Sequence, residues 1–128
     1  MKVLADTHAF IWWTSESSKL TKVAYNTLAD PTNVVFVSVV SIWEIQIKLQ
    51  AKKLKLDAPL KEIVNVHIRK NRFRVLGIDT KHIYALEALP PIHKDPFDRL
   101  LICQALSMKA AIVSSDGVFK DYPARVIW

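Results

Sequence analysis

Four acidic residues stand close to places where an apolar stretch gives way to a helix. Asp6 follows Met1–Ala5, Glu44 lies near the start of the segment after Val34–Val37, Asp98 sits in the run Asp95-Pro96-Phe97-Asp98, and Asp116 follows Ala110–Ser114. Carboxylates drawn into one crevice repel one another and resist ionising together. A hard divalent cation removes that conflict. All-oxygen ligation with retained waters suits Mg²⁺ or Mn²⁺ and argues against zinc, which takes His or Cys. Such a site polarises a phosphoryl oxygen and activates a water, so the reaction class it points to is phosphodiester hydrolysis. Each acid also has an ordinary structural use. Asp6 suits a helix N-cap, Glu44 precedes Lys48 by four residues as a helical ion pair, Asp98 complements a helix dipole, and Asp116 before Gly117 suits a turn.

The elements that must position these acids follow from periodicity. Met1–Ala5 reads as a short buried strand and Thr7–Thr14, apolar nearly all round, as a covered helix. A helix from Leu20 to Ala29 stops near Asp30-Pro31, Val34–Val37 is a strand buried on both faces, and Val39 to about Lys52 is long enough to be a helix. Pro59–Lys70 opens on proline with apolar residues at helical spacing; Phe73–Ile78 is a strand and Lys81–Leu89 a helix ended by Pro90-Pro91. Asp95 is the N-cap and Pro96 the first residue of a helix reaching Lys109, followed by strands at Ala110–Ser114 and Arg125–Trp128. Strands alternating with helices predict an α/β fold, a central parallel sheet with helices on both faces. In such a sheet the carboxyl ends of the strands share one edge, which gathers Asp6, Glu44 and Asp116, and Asp98 as well if its helix starts there.

Composition narrows the rest. A chain of 128 residues, 51% hydrophobic, supports one domain with a core that needs no staples. A single cysteine, Cys103, in an apolar run reads as a small buried hydrophobe. No leader and no long apolar run is evident, which predicts a cytoplasmic protein with no membrane partner. With only Gly77 and Gly117, there is no glycine-rich phosphate loop, so side chains or a metal must handle phosphate. The net charge of +6 is concentrated: nine basic residues stand against two acids between Lys48 and Arg74, which suits a polyanion or a solvated face. Within it, Lys52, Lys53, Arg69, Lys70 and Arg72 are candidate contacts to a polyanion's phosphates. His8 and His93 flank acidic segments and suit either a substrate phosphate or a loop cap. His67 and His82 read as surface or half-buried residues. Arg99 suits a phosphate or a pairing with a site acid. Trp12, Trp13 and Trp43 read as core, with exposure of Trp12 or Trp13 expected only at an interface.

The runs Leu4-Ala5-Asp6-Thr7-His8, Ser41-Ile42-Trp43-Glu44-Ile45, Asp95-Pro96-Phe97-Asp98-Arg99-Leu100-Leu101-Ile102 and Val113-Ser114-Ser115-Asp116 resemble PIN-domain toxins of the VapC type, in order and spacing, from end to end. The resemblance implies a single PIN domain in which Asp6, Glu44, Asp98 and Asp116 bind Mg²⁺ or Mn²⁺, with Ser114 as a supporting hydroxyl where relatives often have threonine. It implies an endoribonuclease that cuts tRNA or rRNA and inhibits translation, forms a homodimer, is silenced by a cognate antitoxin, and meets DNA only through that antitoxin. Two alternatives remain at this point: a PIN-like module that binds RNA or protein without cutting, and a phosphatase with an aspartyl nucleophile. The second is disfavoured because Asp6-Thr7-His8 lacks an aspartate two residues on.

Overall fold

Side chains alternate across a strand, so each strand here feeds two apolar layers at once. The computed structural model describes residues 1–128. The chain runs β1 (Lys2–Ala5), α1 (Thr7–Ser15), α2 (Lys22–Ala29), β2 (Val34–Ser38), α3 (Val39–Gln50), α4 (Leu60–Asn71), β3 (Arg74–Leu76), α5 (Thr80–Ala85), α6 (Pro96–Met108), β4 (Ala111–Val113) and β5 (Val126–Ile127), with 3-10 turns at Ser17–Lys19, Leu86–Ala88 and Gly117–Asp121. All neighbouring strands pair in parallel, in the order β3-β2-β1-β4-β5. Val3, Ala5, Val35, Val37, Ala111, Val113 and Ile127 pack with α1, α2 and Ile45 of α3. The intervening Leu4 and Ile112 face the opposite layer with α6, Phe119 and Tyr122, and Phe36 packs against that layer.

The chain steps outward from β1 to β2 and β3, then returns to the other side of β1 as β4. That reversal puts a crevice beyond the carboxyl ends of β1 and β4, the place where open parallel sheets bind ligands. A hydrogen bond from Asp6 N to Val113 O, 3.1 Å, closes the sheet there. Along the same edge Ser38 Oγ donates to Gln104 Oε1 (2.6 Å) and accepts from Val40 N (3.0 Å), while Gln104 Nε2 donates to Gly77 O (3.1 Å). Gln104 is fully buried, and this network gives its amide partners while tying β2 to α6.

Several expectations need correction. The expected helix Lys81–Leu89 divides into α5 and a 3-10 turn at Leu86–Ala88, and β3 and β5 are shorter than the stretches expected for them. Trp43 is not core but 55% exposed, its ring edge-to-face with Phe97 at 5.0 Å, because α3 turns that side outward. Trp12 and Trp13 are half-buried, stacked on Trp128 and Phe73 respectively. His82 is buried rather than superficial: its Nδ1 accepts from Asp79 N at 3.0 Å in a capping box that starts α5. Cys103 is buried in the α6 layer, and burial pushes its thiol up, away from reactivity. No helix is long and apolar enough to cross a membrane.

Asp95 does cap α6: its Oδ1 accepts from Phe97 N (2.8 Å) and Asp98 N (3.1 Å), with Pro96 at the first helical position. Asparagine caps as well as aspartate, so Asp95→Asn should leave the denaturation midpoint nearly unchanged, while Asp95→Ala should cost about 1 kcal/mol. Equal losses in the two variants would mean that charge, not capping, is what Asp95 supplies.

Candidate metal centre

Both Asp6 and Asp116 follow a strand end and open a helical turn, so each spends one oxygen on the backbone. Asp6 Oδ1 accepts from Ala9 N at 2.7 Å, and Asp116 Oδ1 accepts from Val118 N at 3.0 Å. Ser114 joins them, because its hydroxyl accepts from Asp116 N at 3.0 Å and stands close enough to the Asp6 carboxylate to favour its ionised form. Glu44 reaches the same edge from the second turn of α3. Thr7 Oγ1 lies 2.8 Å from Glu44 Oε1 and 3.0 Å from Ser41 Oγ. A hydroxyl has one proton, so Thr7 donates to the carboxylate and accepts from Ser41. Glu44 Oε2 lies 3.0 Å from Lys48 Nζ, so the expected helical ion pair forms as well.

α6 runs against the strands and begins at this edge, which brings Asp98 within electrostatic range of Glu44 and Asp6. The Asp98 carboxyl is pushed up to about 7, first by burial, then by Asp95, Glu44 and Asp6, with His93 pulling the other way. Asp6 is also raised, chiefly by burial, with Glu44 adding to it and Ser114, Ala9 N and His8 opposing. Asp116 is lowered: burial works upward, but the Val118 N–H, the His93 hydrogen bond and the charges of His93 and His8 outweigh it. Carboxyls that resist ionisation together mark a place short of positive charge.

A residue that sequence reasoning did not group with the acids joins the close cluster, which contains Asp98 and Asp116 but neither Asp6 nor Glu44. His93 Nε2 lies 3.0 Å from Asp98 Oδ2 and 2.9 Å from Asp116 Oδ2. The ligand atoms of His93, Asp98 and Asp116 fall within 4.8 Å of one another, a group able to hold a metal ion, and hard carboxylate oxygens dominate the set. The local signal was the spacing His93-x-Asp95, which lets Asp95 N donate to His93 Nδ1 (3.1 Å) and turns the ring toward the acids.

Arg99 does not pair with a site acid. Its guanidinium donates to the carbonyls of Pro90 (2.8 Å), Leu89 (3.3 Å) and Leu86 (3.4 Å), fastening the loop before α6. The basic block also lies elsewhere. Arg69 and Lys70 end α4 and Arg72 follows in a left-handed conformation, just before β3 starts, so they stand at the edge opposite the acids. Lys70 and Arg72 line a cavity of about 420 Å³ with Trp13, Tyr25 and Asn33. Lys52 and Lys53 are exposed in the turn after α3, also remote from its acid-bearing start. Asp6 and Glu44 are buried at this edge of the sheet, whereas Asp98 and Asp116 are partly exposed.

The shift at Asp98 has a testable consequence. Folded, Asp98 keeps its proton up to about 7, against an ordinary value of 3.8. Its contribution to stability is therefore full below 3.8 and lost as pH rises through about 7. In metal-free buffer Asp98→Asn should gain on the wild type as pH rises from about 4 to about 7, measured by chemical denaturation at each pH. A difference that stays flat over that window would remove the charge crowding from the account.

The family model described as PIN domain matches residues 3–125. No curated protein matches the sequence. Solved structures similar to this chain include VapBC2 from Rickettsia felis bound to a DNA fragment from their promoter, at TM-score 0.75 and 16% identity, covering 98% of this chain and 97% of that one. FitAcB from Neisseria gonorrhoeae is similar at TM-score 0.64 and 15% identity, covering 97% and 95%. A toxin-antitoxin complex from Klebsiella pneumoniae gives TM-score 0.63 and 16% identity, covering 98% and 96%. Identities this low speak for the fold alone. Since the family match runs from the strand before Asp6 to beyond the turn that Asp116 opens, the chain belongs to the PIN-domain family.

Proposed function

We propose that this chain is a metal-dependent endoribonuclease, the VapC-type toxin of a toxin–antitoxin pair, with residues 1–128 as a single PIN domain. The observation that carries this reading is the meeting of Asp98, from the first turn of α6, with Asp116, from just beyond the end of β4, their ligand atoms within 4.8 Å of one another and of His93. Asp6, Glu44, Asp98 and Asp116 would hold Mg²⁺ or Mn²⁺, which when bound polarises a phosphoryl oxygen and makes a water more acidic. The chain's own residues then orient the acids. Ser114 and Ala9 N fix Asp6, Thr7 and Lys48 fix Glu44, and Val118 N fixes Asp116. Asp98 and Asp116, partly exposed at the sheet edge, lie within reach of a polymer backbone, which suits RNA such as tRNA or rRNA. A cognate antitoxin, a homodimer, and DNA met only through the antitoxin are the partners this reading implies. The names of two similar structures, VapBC2 bound to a promoter DNA fragment and a toxin-antitoxin complex, support the antitoxin and DNA parts of that reading.

A second reading, a non-catalytic PIN-like module, draws on the Lys48–Glu44 pair and the His93 bridge, which occupy carboxylate oxygens without an ion. Metal and RNA cleavage separate the two. Millimolar Mn²⁺ against excess EDTA should raise the thermal midpoint, by the equivalent of about 2.7 kcal/mol at about a hundred times the dissociation constant. Asp6→Asn combined with Asp98→Asn should abolish that shift. Asp98→Asn alone should fold yet lose Mg²⁺-dependent RNA cleavage and growth inhibition. RNA left intact by a wild type that binds Mn²⁺ would favour the module.

The basic block calls for a separate measurement, since it faces away from the acids. Strands of four or five residues put the two sheet edges about 15 Å apart, a span only a longer RNA bridges. We therefore assign Lys52, Lys53, Arg69, Lys70 and Arg72 to the RNA backbone flanking the cut. Replacing Arg69, Lys70 and Arg72 with glutamine should flatten the salt dependence of binding for long RNA and leave that of a short oligonucleotide unchanged. An unchanged slope for both would make the block a solvated face or an antitoxin contact.

A further inference from the structure

His93 has the reach to be a metal ligand, but its other ring nitrogen argues for a different use. Nδ1 accepts a hydrogen bond from Asp95 N at 3.1 Å, and that donor belongs to the residue capping α6, whose backbone is fixed by the helix it starts. An imidazole whose Nδ1 lone pair is engaged carries its proton on Nε2. To offer Nε2 as a lone pair to a cation, the ring would need its proton on Nδ1, where it would face the Asp95 N–H, donor against donor. Nε2–H instead points between Asp98 Oδ2 at 3.0 Å and Asp116 Oδ2 at 2.9 Å.

The loop that delivers the ring is fastened at its backbone. The Tyr122 hydroxyl, buried beneath it, accepts from His93 N (2.6 Å) and Ile92 N (3.1 Å) and donates to Pro90 O (2.9 Å). That uses both lone pairs and the one proton of the phenol. Arg99 holds the same loop through Pro90 O and Leu89 O. The ring itself packs against Phe119 at 5.7 Å. Turning the ring would break the Nδ1 bond to Asp95 N or the packing on Phe119.

We propose that His93 is a positioning residue and not a ligand: its Nε2–H, held as the donor by Asp95 N, clamps one oxygen of Asp98 to one oxygen of Asp116, leaving an all-oxygen site for a hard divalent ion. The proposal rests on the metal-site reading above and adds which atoms do not ligate. It explains how two acids from segments far apart in the chain are kept at a fixed spacing by a single proton. Hydrogen bonds to ligating carboxylates of this kind commonly change metal affinity about tenfold to a hundredfold when removed.

The test uses the whole protein with ¹⁵N-labelled histidine. NMR correlations across the His93 ring should show the Nε2–H form in EDTA, and the same form after Mg²⁺ is added. In parallel, Mn²⁺ affinity is measured by calorimetry for the wild type, His93→Gln and His93→Ala. Glutamine can place an N–H near the position of Nε2, so His93→Gln should stay near wild type while His93→Ala weakens binding by about tenfold or more. A ring protonated on Nδ1, an Nε2 that loses its proton on Mg²⁺ addition, or equal losses in the two variants overturns the proposal. The nuclease reading fails separately. If the wild type binds Mn²⁺, the ring is Nε2–H and glutamine rescues, yet RNA stays intact, the clamp stands and the ribonuclease assignment falls. A wild type that binds no Mn²⁺ overturns both.

Discussion

Like charges held close together in a half-dry crevice are the constraint around which this molecule is arranged. Asp6, Glu44 and Asp98 each feel at least one of the others, and burial removes the water that would screen them. Left alone, such a group would move apart or protonate. It is held by donors from every element that meets there: Ala9 N from α1, Val118 N from the last 3-10 turn, hydroxyls from Thr7 and Ser114, Lys48 from α3, and the His93 ring from the loop before α6. The apolar layers on the two faces of the sheet supply the rigidity against which this strain is kept.

The acids also carry ordinary structural duties. Asp6 starts α1, Asp116 starts the turn at Gly117–Asp121, and Glu44 pairs with Lys48. The modest stabilisation expected of caps and helical pairs explains why these uses coexist with a site. A carboxylate has two oxygens, and in Asp6 and Asp116 one oxygen meets the backbone while side chains approach the group from the crevice. Asp98 differs, since its only recorded carboxylate partner is His93 and its neighbours oppose its charge. It is the position where folding and a bound cation are most directly linked.

The loop between α5 and α6 is built without glycine, and its shape is imposed from outside. Its carbonyls point at Arg99 and its N–H groups at Tyr122, so one guanidinium and one phenol satisfy backbone groups that no regular element would. Arg99 thereby serves the site at one remove, although it touches none of the acids.

Much of this was legible in the residues. Strand and helix order followed from local period, the Asp95-Pro96 start of α6 from capping chemistry, and the placing of Asp6 and Asp116 at strand ends from their position after apolar runs. These features depend on residues within a few positions of one another. Strand order, and with it the crevice between β1 and β4, did not follow, because parallel pairing joins segments whose separation no local pattern encodes. The arrival of His93 at Asp116, 23 residues away, and the Tyr122 bond to Pro90, 32 residues away, were hidden for the same reason. So was the placing of the basic block on the far edge, since charge composition has no direction until α4 is docked ahead of β3. The sequence by itself determined which groups could do chemistry and which elements would carry them. Only the tertiary structure decided which of those groups share a crevice, because through-space distance, unlike helical or strand period, is set by the packing of the whole sheet.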